Sequence, residues 1–324
     1  MYKIQFNSCW AEDINEYLET KEKSGYTTKD LIYVFKKFDN FCIENNINTK
    51  IFTKEHAVKI RINNDNIKHV TFYKYINSVK NFLIAMAIKG YNVITPRDIS
   101  RSRDQLIPYI YTKDEIIKYF RAIDTYDYEK SGVMAISLPV IFRILYCCGT
   151  RITETLNIKK QDVDLSSGVI KLTKTKNCQE RYVIVPEQLR ILLMRYAEKT
   201  YWKLEDSSPI FKLGPCGNLY YSIYRYHREF LNIAKIPYKG EYRGPRIHDF
   251  RHTSIVLSCK KMIDLGYDMH AALPILSTWA GHTNIKSTEY YLRLTSEIFP
   301  YLKEKLSDTW ETIFKDMEIP DEIY

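Results

Sequence analysis

Four separated clusters of this chain carry side chains able to do chemistry. "GTRITE" sets Arg151 and Glu154 three apart, just after the predicted helix stop at Gly149. A polar turn between two β-rich runs carries Lys174 and Lys176. "HDFRH" sets His248 and Arg251 three apart at a predicted helix start, and "GHTNIKSTEYYL" sets His282 and Tyr291 nine apart. Each cluster alone has an ordinary reading. Arg151 and Glu154 could be a helix salt bridge. The turn lysines could be solvated, His248 and Arg251 could decorate a helix end, and one tyrosine among 27 could simply pack.

Together they match one chemistry. Two arginines, a lysine, two histidines and a tyrosine suffice for phosphoryl transfer without a metal. A phosphodiester under attack gathers charge on its non-bridging oxygens. The planar guanidinium pairs with two of them at once and stays protonated. A tyrosine oxygen can attack phosphorus and hold it covalently. A lysine or histidine can protonate the departing sugar oxygen, and a histidine can handle the nucleophile's proton. Positioning and charge stabilisation supply most of the rate.

The order and spacing of these clusters resemble the tyrosine recombinases, the phage integrase family. "GTRITE" resembles the family's G-[LT]-R-x-[ST]-E, and "TKNCQER" its hairpin T-K-N-x-x-x-R. "HDFRHT" resembles H-D-[LF]-R-H-[TS], and "AGHTNIKSTEYYL" resembles L-G-H-x-x-x-x-[ST]-T-x-x-Y. The strong motifs span about 145–292. The sequence departs from the pattern at Thr150 and Ala280, where leucine is common, which reads as altered packing. The resemblance implies that Arg151 and Arg251 hold the scissile phosphate, with His248 the general acid/base beside them. It implies that His282 hydrogen-bonds a phosphate oxygen and that Tyr291 attacks, leaving a 3′-phosphotyrosine and a free 5′-hydroxyl. Lys176 would protonate the 5′-oxygen, with Lys174 the alternative if the hairpin has another register. Glu154 would buttress the arginines. No cofactor, metal or nucleotide is implied. The implied partner is double-stranded DNA at a recombination site, bound by two protomers per site and four in a synapse. Accessory DNA-bending or directionality proteins are compatible with this and leave no trace in the sequence.

The elements that must position these residues read as mainly helical with a small β-sheet. "TTKDLIYVFKKFDNFCIENN" places Leu31, Val34, Phe35, Phe38 and Phe41 at helical spacing, with Thr28 as N-cap. "HVTFYKYINSVKNFLIAMAIKGY" repeats the pattern through Met86 and stops at Gly90. Residues 1–104 are therefore expected to form a helical domain, which the resemblance implies binds the DNA core site. A mixed-charge, proline-containing stretch at about 97–108 reads as a linker. Residues 105–324 are expected to form a mixed α/β catalytic domain. It opens on a Thr112/Glu115 capping box, and "GVIKLTKT" and "RYVIVP" form its hairpin. Three helices follow, beginning at "EQLRILL", "LYYSIYR" and "HDFRHTS". The tail places Phe299, Leu302, Leu306, Trp310, Ile313 and Met317 on one helical stripe. In the resembling family such a tail docks into a neighbouring protomer; packing on its own domain is the alternative.

Charge agrees with a nucleic-acid partner without requiring one. The net charge is +9. Residues 1–104 carry 17 Lys and Arg against 12 Asp and Glu, and residues 105–302 carry 28 against 20. Residues 303–324 reverse the balance, with 3 against 7. The seven cysteines lack regular spacing and read as free thiols in a reducing compartment. No apolar run reaches membrane length, and the first residues lack a signal-peptide layout, so a cytoplasmic protein is expected.

Three rival readings compete with this one. His248 and His252 share the spacing of a zinc H-E-x-x-H helix, but Asp249 replaces the general-base Glu and no third ligand is evident. His252 reads instead as a structural residue near the site. A type IB topoisomerase uses a similar Arg/Lys/His/Tyr site and would relax DNA without exchanging partners. A catalytically inactive DNA-binding module would have lost some of the site residues, and here every position is filled.

Overall fold

The computed structural model describes residues 5–62, 68–100, 108–128, 132–173, 180–201, 204–211, 219–238, 244–282, 284 and 286–300. The hairpin turn with Lys174 and Lys176, most of the expected linker and the amphipathic tail beyond residue 300 lie outside these residues. The chain divides into two compact units, Met1–Gln105 and Leu106–Tyr324.

The first unit is built from α1 (Ala11–Lys23), α2 (Lys29–Glu44), α3 (Lys54–Ile62) and α4 (His69–Ile88). Its aromatic core follows the periodicity read from sequence. Phe35, Phe38 and Phe41 of α2 and Tyr75, Val79, Phe82, Leu83 and Met86 of α4 are buried, and Trp10 completes the cluster. Helix α1 carried no expectation. It docks through the buried Ile14 and Leu18 and through Asp13, a buried carboxylate that Lys50 meets at 2.7 Å and Lys89 at 3.6 Å. Thr28 does sit at the N-cap position of α2, but it makes no side-chain cap. Its hydroxyl hydrogen-bonds Glu22 instead, because its backbone is already helical and cannot aim the oxygen at the first-turn N–H groups.

The second unit is also mainly helical: α5 (Lys113–Asp124), α6 (Gly132–Cys147), α7 (Ile152–Leu156), α8 (Glu187–Thr200), α9 (Leu219–Ile233), α10 (Ile247–Asp264), α11 (Met269–Ala280) and α12 (Lys286–Ile298). The Thr112/Glu115 capping box opens α5 as the sequence predicts. The sheet has one strand more than the expected hairpin. Strands β1 (Val163–Asp164), β2 (Val169–Leu172) and β3 (Arg181–Ile184) pair antiparallel in that order, with Ile170 opposite Val183 and Leu172 opposite Arg181. Among the described residues no helix is long and apolar enough to cross a membrane.

Helix α10 runs through the centre of this unit, packing on α6, α11 and α12. Phe250 joins Tyr119, Phe142 and Phe230 in an aromatic core around the buried His227. The Pro245 carbonyl can only accept, so His227 donates to it from Nε2 at 3.2 Å. The neutral ring therefore accepts the Tyr119 hydroxyl at Nδ1, 2.7 Å away. That bond anchors the segment leading into α10. Burial lowers the His227 pKa to about 4 from its ordinary 6.5. Between those values the unfolded chain binds a proton that the folded ring refuses. Stability is therefore full above pH 6.5 and falls as the pH drops towards 4, by roughly 3 kcal/mol for this group. Urea midpoints measured across that window are expected to decline with acidity, and His227→Gln is expected to shallow the decline.

Candidate active site

Two arginine–acid pairs use the same local device. Arg151 sits at the N-cap of α7 and Glu154 three residues on, inside its first turn. The Glu154 carboxylate accepts the Arg151 backbone N–H at 2.9 Å and the Arg151 Nη1 at 2.6 Å. Arg246 sits at the N-cap of α10, and Asp249 repeats the pattern, accepting the Arg246 N–H at 2.7 Å and its guanidinium at 2.8 and 3.0 Å. In each pair a buried acid at a helix N-terminus satisfies an orphan donor and fixes a guanidinium.

Glu154 also takes a second arginine. Arg181, from β3, donates Nη2 and Nη1 to the two Glu154 oxygens at 2.8 and 3.2 Å. Burial alone would raise the Glu154 pKa. The Arg181 bonds, the Arg151 N–H and both positive charges override it and hold the carboxyl at about 2. Glu154 is thus the acid between two arginines, where the sequence suggested a salt bridge with one.

The end of α11 collects the arginines. Its last carbonyls have no intrahelical partners and form the negative end of the helix dipole. Trp279 O accepts Arg181 Nε at 3.1 Å, Ala280 O accepts Arg251 Nη2, and Gly281 O accepts Arg151 Nη2 at 3.2 Å. Arg251 is 1% exposed and also donates to Gly149 O at 2.6 Å. Burial, then the charge of Arg151, lower its pKa to about 10, which leaves it protonated near neutrality. Arg151 and Arg181 share the Glu154 carboxylate and Arg251 joins them at the end of α11, so positive charge is left over to receive an anion.

Gly281 makes this convergence sterically feasible. It ends α11 in the left-handed conformation, with φ at 64°, and a Cβ there would lie 2.6 Å from the Arg181 Nη1. Arg181 is pinned and cannot retreat. Gly281→Ala is expected to lower stability by about 2 kcal/mol and to slow DNA cleavage. Denaturant unfolding and a strand-cleavage assay on the same variant check both effects.

The nucleophile candidate lies on α12. Tyr291 is 5% exposed, and its hydroxyl is 2.6 Å from His252 Nδ1. Its ring stacks on His282 at 5.7 Å. Burial raises its pKa to about 12, against the opposing pull of Arg251 and Arg151. Tyr290 is half-buried on another side of the helix, with its ring 5.8 Å from the Arg293 guanidinium. His282 is held by the hydroxyl of the buried Thr288 at 2.9 Å, and burial followed by Arg251 lowers its pKa to about 4. His248 is exposed at one edge of the site. Desolvation by the protein around it, then His252 and Arg251, lower its pKa.

The structure thus gathers Arg151, Glu154, Arg251, His282 and Tyr291 in one unit, with His248 at the edge through its ring contact with His252 at 4.6 Å. It adds three residues to the expected set. In sequence Arg181 is only a motif position, Arg246 carries no signal of its own, and His252 reads as structural. The alternation of "RYVIVP" does carry a signal for Arg181, because period two sets it on the same buried face as Val183. Thr150 is fully buried and pairs with the Thr155 hydroxyl at 2.7 Å. Ala280 is fully buried where it meets Arg251. Among the described residues no group of three or more His, Cys, Asp or Glu side chains is arranged to hold a metal ion.

A mainly helical unit that packs one tyrosine among arginines and histidines has the make-up of an enzyme that cuts and rejoins DNA strands. The chain belongs to the phage integrase family, the tyrosine recombinases, whose sequence profile matches residues 112–297. It is 26% identical over 211 residues to a putative integrase/recombinase of Sinorhizobium fredii, covering 63% of this chain and 67% of that one. It is 22% identical over 311 residues to the tyrosine recombinase XerA of Thermococcus kodakarensis, covering 91% and 94%. Among solved structures it resembles a lambda integrase dimer bound to a core site, with a TM-score of 0.61 at 14% identity over 87% of this chain and 94% of that one. It also resembles the XerH recombinase in a post-cleavage complex with a palindromic difH substrate, with a TM-score of 0.60 at 18% identity over 80% and 75%. At these identities the structures share the fold. The activity is site-specific DNA recombination.

Proposed function

We propose that Tyr291 carries the reaction by forming a 3′-phosphotyrosine with one DNA strand and releasing a 5′-hydroxyl. Arg151 and Arg251 grip the non-bridging oxygens of the scissile phosphate. His282 hydrogen-bonds one of them, and His248 works beside them at the site's edge. Glu154 fixes the arginines. Lys176, or Lys174 in the other register, protonates the leaving 5′-oxygen. The observation that carries the reading is the meeting of Arg151, Arg181 and Arg251 at the end of α11, where Glu154 pairs with the first two, in the unit that buries the Tyr291 hydroxyl. A phosphodiester brings the anion that such a cluster lacks. Strand energy is kept in the phosphotyrosine, so no nucleotide is consumed.

The helical unit, 1–104, binds the core site in this reading, and 105–324 cuts it. Exposed Lys29, Lys36, Lys54, Lys59, Arg61 and Lys74 on the first unit support this assignment. Lysine–phosphate contacts make binding fall steeply with salt. Two protomers occupy each site and four form the synapse, acting on cytoplasmic DNA. The DNA-bound lambda integrase dimer supports an oligomer on DNA. The direct test first selects a binding site for the full chain from a randomised duplex pool, then builds it as a nicked suicide duplex. A trapped adduct whose tryptic peptide carries a nucleotide on Tyr291 is expected. An adduct on any other residue overturns the assignment.

A further inference from the structure

We propose that His252, rather than His248, takes the proton from Tyr291 as its oxygen attacks the scissile phosphate. The inference rests on Tyr291 being the nucleophile. It starts from a hydrogen bond: His252 Nδ1 lies 2.6 Å from the Tyr291 hydroxyl, the shortest route by which the phenol can lose its proton. A neutral imidazole that accepts at Nδ1 carries its own proton on Nε2. That nitrogen lies 4.0 Å from Asp249 Oδ1. The carboxylate of Asp249, already bound to Arg246, therefore faces the side of the ring that becomes positive.

Burial, then the cations Arg246 and Arg251 and the ring of His282, lower the His252 pKa to about 3. The ring is therefore neutral and ready to accept near neutrality. Burial sets most of that lowering and the arginines add to it. A phosphodiester entering beside Arg151 and Arg251 brings the negative charge that offsets them. The groups facing His252 are His248, Asp249 and Arg251 on α10, Arg246 just before it, His282 after α11 and Tyr291 on α12. In the cleavage step the Tyr291 O–P bond forms, the P–O5′ bond breaks, the phenol proton moves to Nδ1, and the 5′-oxygen takes its proton from the hairpin lysine. Religation reverses each transfer, and His252 returns the proton to Tyr291. The hydroxyl's hydrogen bond goes to His252, which leaves His248 to act on the phosphate.

Single-turnover adduct formation on the suicide duplex tests this, using wild type, His252→Ala and His252→Asn. A second duplex replaces the bridging 5′-oxygen with sulfur, whose leaving group needs no acid. Near neutral pH, His252→Ala is expected to slow the adduct about 100-fold on both duplexes. The deficit is expected to shrink as the pH rises towards the phenol's own pKa and when free imidazole is added. His252→Asn keeps a hydrogen-bond acceptor without a basic nitrogen, so it is expected to keep the fold, by denaturant midpoint, and share the deficit. Lys176→Ala, by contrast, is expected to recover on the sulfur duplex. Wild-type rates in His252→Asn, a deficit indifferent to pH and imidazole, or recovery of His252→Ala on the sulfur duplex each overturn the proposal. If the wild-type adduct forms on a residue other than Tyr291, the nucleophile assignment fails instead, and the two failures are distinguishable.

Discussion

Tyr291→Phe is expected to bind the selected DNA site as tightly as wild type and to form no covalent adduct on the suicide duplex. The substitution removes one oxygen. The ring keeps its stack on His282 and its place against α10, and the fold loses only the bond to His252, about 1 kcal/mol. Nothing in binding depends on the hydroxyl, whereas the covalent step has no other nucleophile at that position. Tyr290→Phe is the matched control. Tyr290 lies beside Tyr291 in sequence but faces Arg293, so its hydroxyl is expected to be dispensable. Denaturing gels for the adduct and a mobility-shift titration for binding read both variants. A covalent band from Tyr291→Phe would mean that the attacking oxygen belongs to another side chain.

Much of the fold was legible because burial follows periodicity. The α2 and α4 core positions and the start of α5 were all signalled by spacing or by cap chemistry. Helix α1 offers only Ile14 and Leu18 as an apolar stripe, and its buried carboxylate Asp13, held by Lys50 and Lys89 from distant parts of the chain, reads in sequence as a surface residue. Helix α11 was missed for a different reason. Its interior Pro274 and its short run before Gly281 hide a helical pattern that packing on α10 enforces.

The omission of α11 explains what was hard to see in the site. The motif residues could be named from their order, but the element that aims them could not. Arg151, Arg181 and Arg251 come from α7, β3 and α10, and they meet because three successive carbonyls at the end of α11 accept them. A main-chain acceptor has no letter in a sequence. Nor does a contact such as His252 to Tyr291, which joins residues 39 apart. At four residues from His248, His252 looked like half of a metal motif. The fold turns its Nδ1 to a hydroxyl instead.

Arg251 is where that cluster is most sensitive. Arg251→Ala is expected to lower the rate of adduct formation by about a thousandfold, and Arg251→Lys is expected to recover little of it. Two guanidinium nitrogens are committed to Gly149 O and Ala280 O, which holds the fork in one plane. Its remaining N–H groups are then aimed without rotamer freedom at an anion that arrives beside Arg151. A lysine keeps the charge but offers one tetrahedral ammonium, which cannot satisfy both carbonyls and two phosphate oxygens at once. Because Arg251 is 1% exposed, truncation also empties buried volume and strands two carbonyls, so a stability loss of roughly 2–4 kcal/mol is expected alongside. The two effects separate if cleavage is measured at a temperature where the denaturation curve shows the variant folded, with DNA binding titrated in parallel. Arg251→Lys cleaving within about tenfold of wild type would mean that charge alone is needed there. The geometry imposed by the end of α11 would then contribute to folding, and the phosphate would be oriented by Arg151.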